Sequence, residues 1–157
     1  MPMVPFYTLL PDLAVNETRT IIVQGRDDLP DGEYGFVEFY CNEIDCDCRR
    51  VVINVLSPAT PSKIWATINF GWEVAEFYRK WSGGDMKGPF LDPLNVQTAF
   101  SSVLLQLFGF VLADKKYVDR LKRHYELFKQ SLQGQGNSVG QQTNYLGRRR
   151  RLKRRQR

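Results

Sequence analysis

Between residues 18 and 70 the chain alternates short β-type runs with turn residues, and this rhythm commits it to an antiparallel sheet. Residues 18–24 (TRTIIVQ) are rich in β-branched side chains, which suit a pleated, half-buried surface. In the following GRDDLPDG, Pro30, Asp31 and Gly32 stand in the order a turn prefers. Residues 33–41 (EYGFVEFYC) alternate, with Val37, Phe39 and Cys41 on one face, expected to look into the core, and Phe36, Glu38 and Tyr40 on the other. Residues 48–56 (CRRVVINVL) place Val51, Ile53 and Val55 together. Residues 62–70 (SKIWATINF) set Ile64, Ala66, Ile68 and Phe70 against Trp65, Thr67 and Asn69. Parallel neighbours would need crossovers of about a dozen residues, and these connections are short. The expectation is an antiparallel meander of about four strands.

Helical periods come next. Residues 73–81 carry Val74, Phe77, Tyr78 and Trp81 at helical spacing. SGGDMKGPF is a loop, and Asp92–Pro93 predicts an N-cap with proline at the first helical position. That helix is expected to run to about residue 112 and to be the central buried one. Asp114 is placed to cap a last helix with the stripe Tyr117, Val118, Leu121, Tyr125, Phe128 and Leu132, and Gly134 is placed to end it. Residues 1–17, with three prolines, read as irregular. The fold class is therefore α+β, a meander packed with about three C-terminal helices.

Charge divides the chain. Residues 148–157 (RRRRLKRRQR) hold eight of the 22 Lys and Arg and no acid, which leaves 14 cations against 17 acids in residues 1–147, a net −3. The reading is a globular domain over 1–133, a flexible Gly/Gln/Asn-rich linker over 134–147 and a disordered basic tail over 148–157. Arg148, Arg149, Arg150, Arg151, Lys153, Arg154, Arg155 and Arg157 are the expected nucleic-acid contacts, because guanidinium forks match phosphate oxygens. The tail has no aromatic residue to stack on bases, so its contacts should be sequence-blind. The longest apolar stretch, residues 103–113, is too short to cross a bilayer. No secretory signal stands at the start, and a cytoplasmic location is expected, nuclear in a nucleated cell.

Cys41, Cys46 and Cys48 form a C-x4-C-x-C cluster, an odd set unsuited to a disulfide framework. If residues 33–41 and 48–56 pair as a hairpin, the three sulfurs converge at its end. A short loop then gathers soft ligands of the type zinc prefers. His124, the only histidine, is the expected fourth ligand, with Glu43, Asp45 and Asp47 as local alternatives. Structural cysteines that merely fill the core are the competing reading. For Arg49 and Arg50, pairing with the loop acids is favoured over anion binding. No phosphate loop follows a strand and no nucleophile elbow is present.

The run EYGFVEFYCNEIDCDCRRVVINV, with ATINFGWEVAEFYRKW, DPLN and RLKRHYELF, resembles a group of small uncharacterised bacterial proteins that share a Y-C and C-D-C-R-R pattern. The C-x-C pair is similar to half of the zinc-binding SEC-C motif, whose second half is absent. The resemblance implies no activity. The leading expectation is a non-enzymatic accessory or binding protein, stabilised by zinc and holding nucleic acid through its tail. A protein–protein adaptor is the alternative, and a metal- or thiol-dependent enzyme stands third.

Overall fold

The computed structural model describes residues 2–84 and 86–155, and the side chains of all of these except residue 82 and residues 136–155. In chain order the elements are β1 (Met3–Pro5), a 3-10 turn (Phe6–Thr8), α1 (Pro11–Glu17), β2 (Thr20–Val23), β3 (Gly32–Cys41), β4 (Arg50–Leu56), β5 (Ala66–Gly71), α2 (Ala75–Ser82), β6 (Phe90–Leu91), α3 (Ser101–Leu112) and α4 (Lys115–Arg155). The fold is α+β. Strands β2 to β5 form the expected meander, every pairing antiparallel. Two short strands extend it. β6 lines up on β5, and β1 pairs with Phe39–Cys41, so that β1 and β2 lie in line along one edge of β3.

The N-terminus is not irregular. Pro5 ends an edge strand, where a missing N–H costs nothing, and Pro11 opens α1 at its first turn. The helix expected from Asp92 begins nine residues later, at Ser101. Local polar groups hold the intervening segment in another form. Asp92 Oδ1 accepts from the Leu94 amide at 2.9 Å, which closes a turn rather than a helix. The Gln97 side chain bonds both the N–H and the C=O of Thr67, as a strand would. Asp114 does cap α4, accepting from the Lys116 amide at 3.0 Å. Gly134 does not end that helix, which passes through it. An interior glycine costs only about 1 kcal/mol relative to alanine. Apart from residues 134 and 135, the expected linker and the basic tail lie outside the residues whose side chains are described.

Helices α3 and α4 cover one face of the sheet. Val51, Ile53 and Val55 of β4 and Ala66, Ile68 and Phe70 of β5 face them, as their alternation predicts. Phe108 of α3 meets Phe36 and Phe70 edge-on, at 5.2 and 6.3 Å between ring centres. On β3 the expected core face is corrected. Tyr34, Phe36, Glu38 and Tyr40 are buried, while Val37 and Phe39 are only half-buried on the opposite face; of the three residues expected inward only Cys41, at the end of the strand, is buried.

At the end of β5, Gly71 lies directly against the Tyr78 ring, so an added Cβ would overlap that ring. Tyr78 Oη donates to the Arg49 carbonyl at 2.6 Å and accepts from the Glu73 amide at 3.1 Å. It thereby ties α2 to the start of β4. Gly71→Ala is expected to lower stability by about 1–3 kcal/mol, the usual cost of overpacking, read as a shift in the urea midpoint. An unchanged midpoint would show that Tyr78 swings aside without loss.

Candidate metal centre and the groups around it

Cys41 ends β3, and Cys46 and Cys48 sit in the connection to β4. A turn closed by the Cys46 amide on the Glu43 carbonyl, at 3.2 Å, folds that connection back on itself. The three sulfurs lie within 4.8 Å of one another. Cys41 and Cys48 are fully buried, Cys46 is half-buried, and none forms a disulfide. A tetrahedral zinc with sulfurs at about 2.3 Å separates them by about 3.8 Å. No edge of the observed triangle therefore needs to contract by more than about 1 Å, and Cys46, half-buried on a turn, is the member freest to move. The donor set fits a soft divalent cation.

Helices clamp this loop from two sides. Lys129 Nζ of α4 donates to the Glu43 carbonyl at 2.7 Å, and the Tyr125 hydroxyl bridges the Cys46 carbonyl and the Arg49 amide at 3.4 Å each. These bonds and that of Tyr78 hold Arg49 at φ +44°, a left-handed conformation rare for a side chain of this size. Burial pushes the Cys48 thiol up to about 12 and raises Cys46 as well, with Lys129 acting in the opposite sense on both. Without a cation the Cys46 and Cys48 sulfurs are neutral thiols, poor nucleophiles. A bound cation would displace their protons.

His124 does not join the cysteines, and its assignment as fourth ligand is corrected. Its Nδ1 meets Glu38 Oε1 at 2.7 Å and its Nε2 meets Glu17 Oε2 at 2.6 Å, so both ring nitrogens are already engaged. The ring is fully buried and stacks on Phe6 at 4.4 Å. Tyr40 Oη donates to Glu38 at 2.6 Å, and Arg123 pairs with Glu17 at 2.9 Å. Two carboxylates as acceptors leave the imidazole to donate from both nitrogens, which makes it a cation. Burial opposes that charge, but the bonds and charges of Glu38 and then Glu17 outweigh it, and the His124 pKa is raised. Glu17 is lowered, first by its bond to His124. The cluster joins α1, β3 and α4.

Of the local alternatives for a fourth ligand, Asp47 is held by Arg49 at 2.8 Å. Glu43 and Asp45 line a shallow hollow that Cys46 also borders. Arg49 pairs with Asp47, and with Glu73 at 3.5 Å, much as the sequence favours. Arg50 does not. It is buried on the far face of the sheet, where sequence proximity gave no hint of its surroundings. Among the described residues no helix is long and apolar enough to cross a membrane. Comparison with known proteins finds no matching family model, no matching characterised protein and no matching solved structure.

Proposed function

We propose that the protein is a non-enzymatic binding protein whose α+β domain is stabilised by zinc on Cys41, Cys46 and Cys48 and whose Arg-rich tail contacts nucleic acid without sequence preference. The convergence of three sulfurs within 4.8 Å supports the metal. Three cysteines gathered beside polar loop residues are more than apolar filling requires, and soft thiolates favour borderline-soft zinc over the hard cations. The fourth position is completed by water or by Glu43 or Asp45 from the rim of the hollow. Elemental analysis of the purified protein should give about one zinc per chain. Well under one metal per chain, with all three thiols titratable in the native state, would sink the reading.

The charge partition supports the second half. The domain portion, net −3, repels a phosphate backbone on average, whereas the tail concentrates eight cations in ten residues. If all eight engaged duplex DNA, log K would fall against log salt with a slope of about −7, or about −6 on a single strand. Partial engagement gives an expected slope of roughly −3 to −6. The full chain and the 1–147 truncation should be titrated on one oligonucleotide at several salt concentrations. The truncation is expected to lose most of the affinity and flatten the slope, while a change of base sequence changes little. Equal affinities and slopes would make the tail a bystander and turn the reading toward a protein–protein adaptor.

A further inference from the structure

The sheet has a second face, turned away from α3 and α4, and its alternation builds a cavity floor there. Phe39 of β3, Arg50, Val52 and Asn54 of β4, and Thr67 and Asn69 of β5 all lie on it. The registers Val52 opposite Phe39, Val52 opposite Asn69 and Asn54 opposite Thr67 make them immediate neighbours. Trp81 of α2 and the strap bearing Met86, Asp92, Leu94 and Asn95 wall a cavity of about 350 Å³ over this floor. That volume lies at the small end of the range for small-molecule sites.

Arg50 is the group that needs explaining. It is 3% exposed. Its Nε donates to Asn69 Oδ1 at 2.8 Å, Nη2 donates to the same oxygen and to the Met86 carbonyl at 2.7 Å, and the guanidinium lies 5.3 Å from the centre of the Tyr78 ring. Its Nη1 is buried with no hydrogen-bond partner. Among the described residues no carboxylate comes within ion-pairing distance of it. Asp92 is reached only through Asn69, whose Nδ2 donates to Asp92 Oδ2 at 3.3 Å. Buried guanidinium groups are ordinarily paired, because an uncompensated charge in a protein interior is costly. This one has its fork fixed by three acceptor contacts, a spare donor and an open cavity beside it.

We propose that the second face of the sheet is a binding site for a small monocarboxylate, held through the Arg50 guanidinium, with its apolar body against Phe39, Val52, Leu94 and Trp81. A carboxylate adds the counter-charge that Asp92, held off by Asn69, supplies only at a distance, and a turn of the buried guanidinium toward the cavity would bring it the unused Nη1 N–H. Asn54 Oδ1 already accepts from Thr67 Oγ1 at 3.1 Å, which leaves its NH2 as a second donor in the floor. The charge balance sets the class. Among the described residues lining the cavity Arg50 is the only cation, and Asp92, whose oxygens accept from Asn69 and the Leu94 amide, adds a negative charge of its own, so a dianionic phosphate would be opposed more strongly than a monoanion. The largely apolar wall favours an aryl or short alkyl carboxylate over a polar one.

The full-length protein should be titrated calorimetrically with benzoate, 3-phenylpropionate and hexanoate, and with inorganic phosphate as the contrasting anion. At least one carboxylate is expected to bind saturably at one site per chain, with Kd between about 10 µM and 1 mM. In the NMR spectrum it should shift the Arg50 side-chain N–H resonances. Arg50→Lys keeps a cation without the fixed fork and should weaken binding about tenfold or more. Arg50 also has structural bonds, so a second pair of variants carries the test independently of folding. Leu94 is 91% exposed at the cavity wall. Leu94→Lys should tighten carboxylate binding and Leu94→Glu should weaken it, each by about three- to tenfold, with melting temperatures unchanged. No saturable carboxylate binding up to about 10 mM, equal affinity in both Leu94 variants, or tighter binding of phosphate than of every carboxylate would each overturn the assignment. None of these results bears on zinc content or on the tail.

Discussion

Stripping the metal from the cysteine cluster is expected to lower the melting temperature by roughly 6–12 °C, corresponding to about 3 kcal/mol in a chain of this size. Structural zinc contributes about 10–16 kcal/mol of apparent binding free energy in small peptides that are unfolded without it. Here the core is large enough to be expected to survive metal removal, so only part of that figure should appear as lost stability. The loss should centre on the loop between β3 and β4, with α2 and α4 loosening next, because Tyr78, Tyr125 and Lys129 bond that loop's backbone. Cys48→Ala should give the same loss. Cys48→Ser should exceed it by about 1–3 kcal/mol, since it adds a hydroxyl at a fully buried position. The decisive comparison adds a strong chelator to both proteins. Wild type should fall to the level of Cys48→Ala, and the variant should not respond. Acid should act as the chelator does, because burial raises the Cys46 and Cys48 thiols and binding must displace their protons. A wild-type melting temperature indifferent to chelator would leave the cluster as three packed thiols.

The sulfur cluster is legible from sequence because it is local. Five residues of spacing and one hairpin suffice to bring Cys41 and Cys46 together, whatever the rest of the chain does. Strands β4 and β5 are legible for a similar reason, since a period of two survives in VVINVL and ATINF. The core face of β3 is not. Both of its faces are aromatic, and the one that holds Glu38 looks the worse candidate until Glu38 is found beside His124, 86 residues away. No alternation rule sees that partner. His124 shows the same limit from the other side, because a lone histidine on a helix edge suits several partners and only the fold selects among them. Arg50 did leave a signal. It alternates with Val52 and Asn54, so strand parity turns it away from the loop acids that follow Cys41. Proximity along the chain was the wrong guide. Asp92–Pro93 carried a sound helix-start pattern, and the Gln97 side chain overrode it by completing the edge of β5.

The His124 cluster should be the most sensitive polar site in the domain, and its energetics should be those of a stranded charge. His124→Leu is expected to cost about 3–5 kcal/mol, the usual result of removing one partner from a buried pair, read as a shift in the urea midpoint. Most of that cost is the Glu38 carboxylate, left 3% exposed without its cation. If so, His124→Leu combined with Glu38→Leu should recover much of the loss. Tyr40 Oη retains the Leu121 carbonyl at 3.2 Å when Glu38 is gone, and Glu17 retains Arg123. A double variant as unstable as the two single changes added together would mean that the bonds themselves, not the stranded charge, carry the energy. The pH dependence follows from the two shifts. His124 is raised from 6.5, so its contribution is complete below that pH and declines as pH rises through the higher folded value. Glu17 is lowered from 4.5, so its contribution is complete above that pH and declines as pH falls through the lower folded value. The stability gap between wild type and His124→Leu should therefore be widest between pH 4.5 and 6.5 and narrow on both sides. A gap that widens steadily above neutrality would contradict a protonated His124.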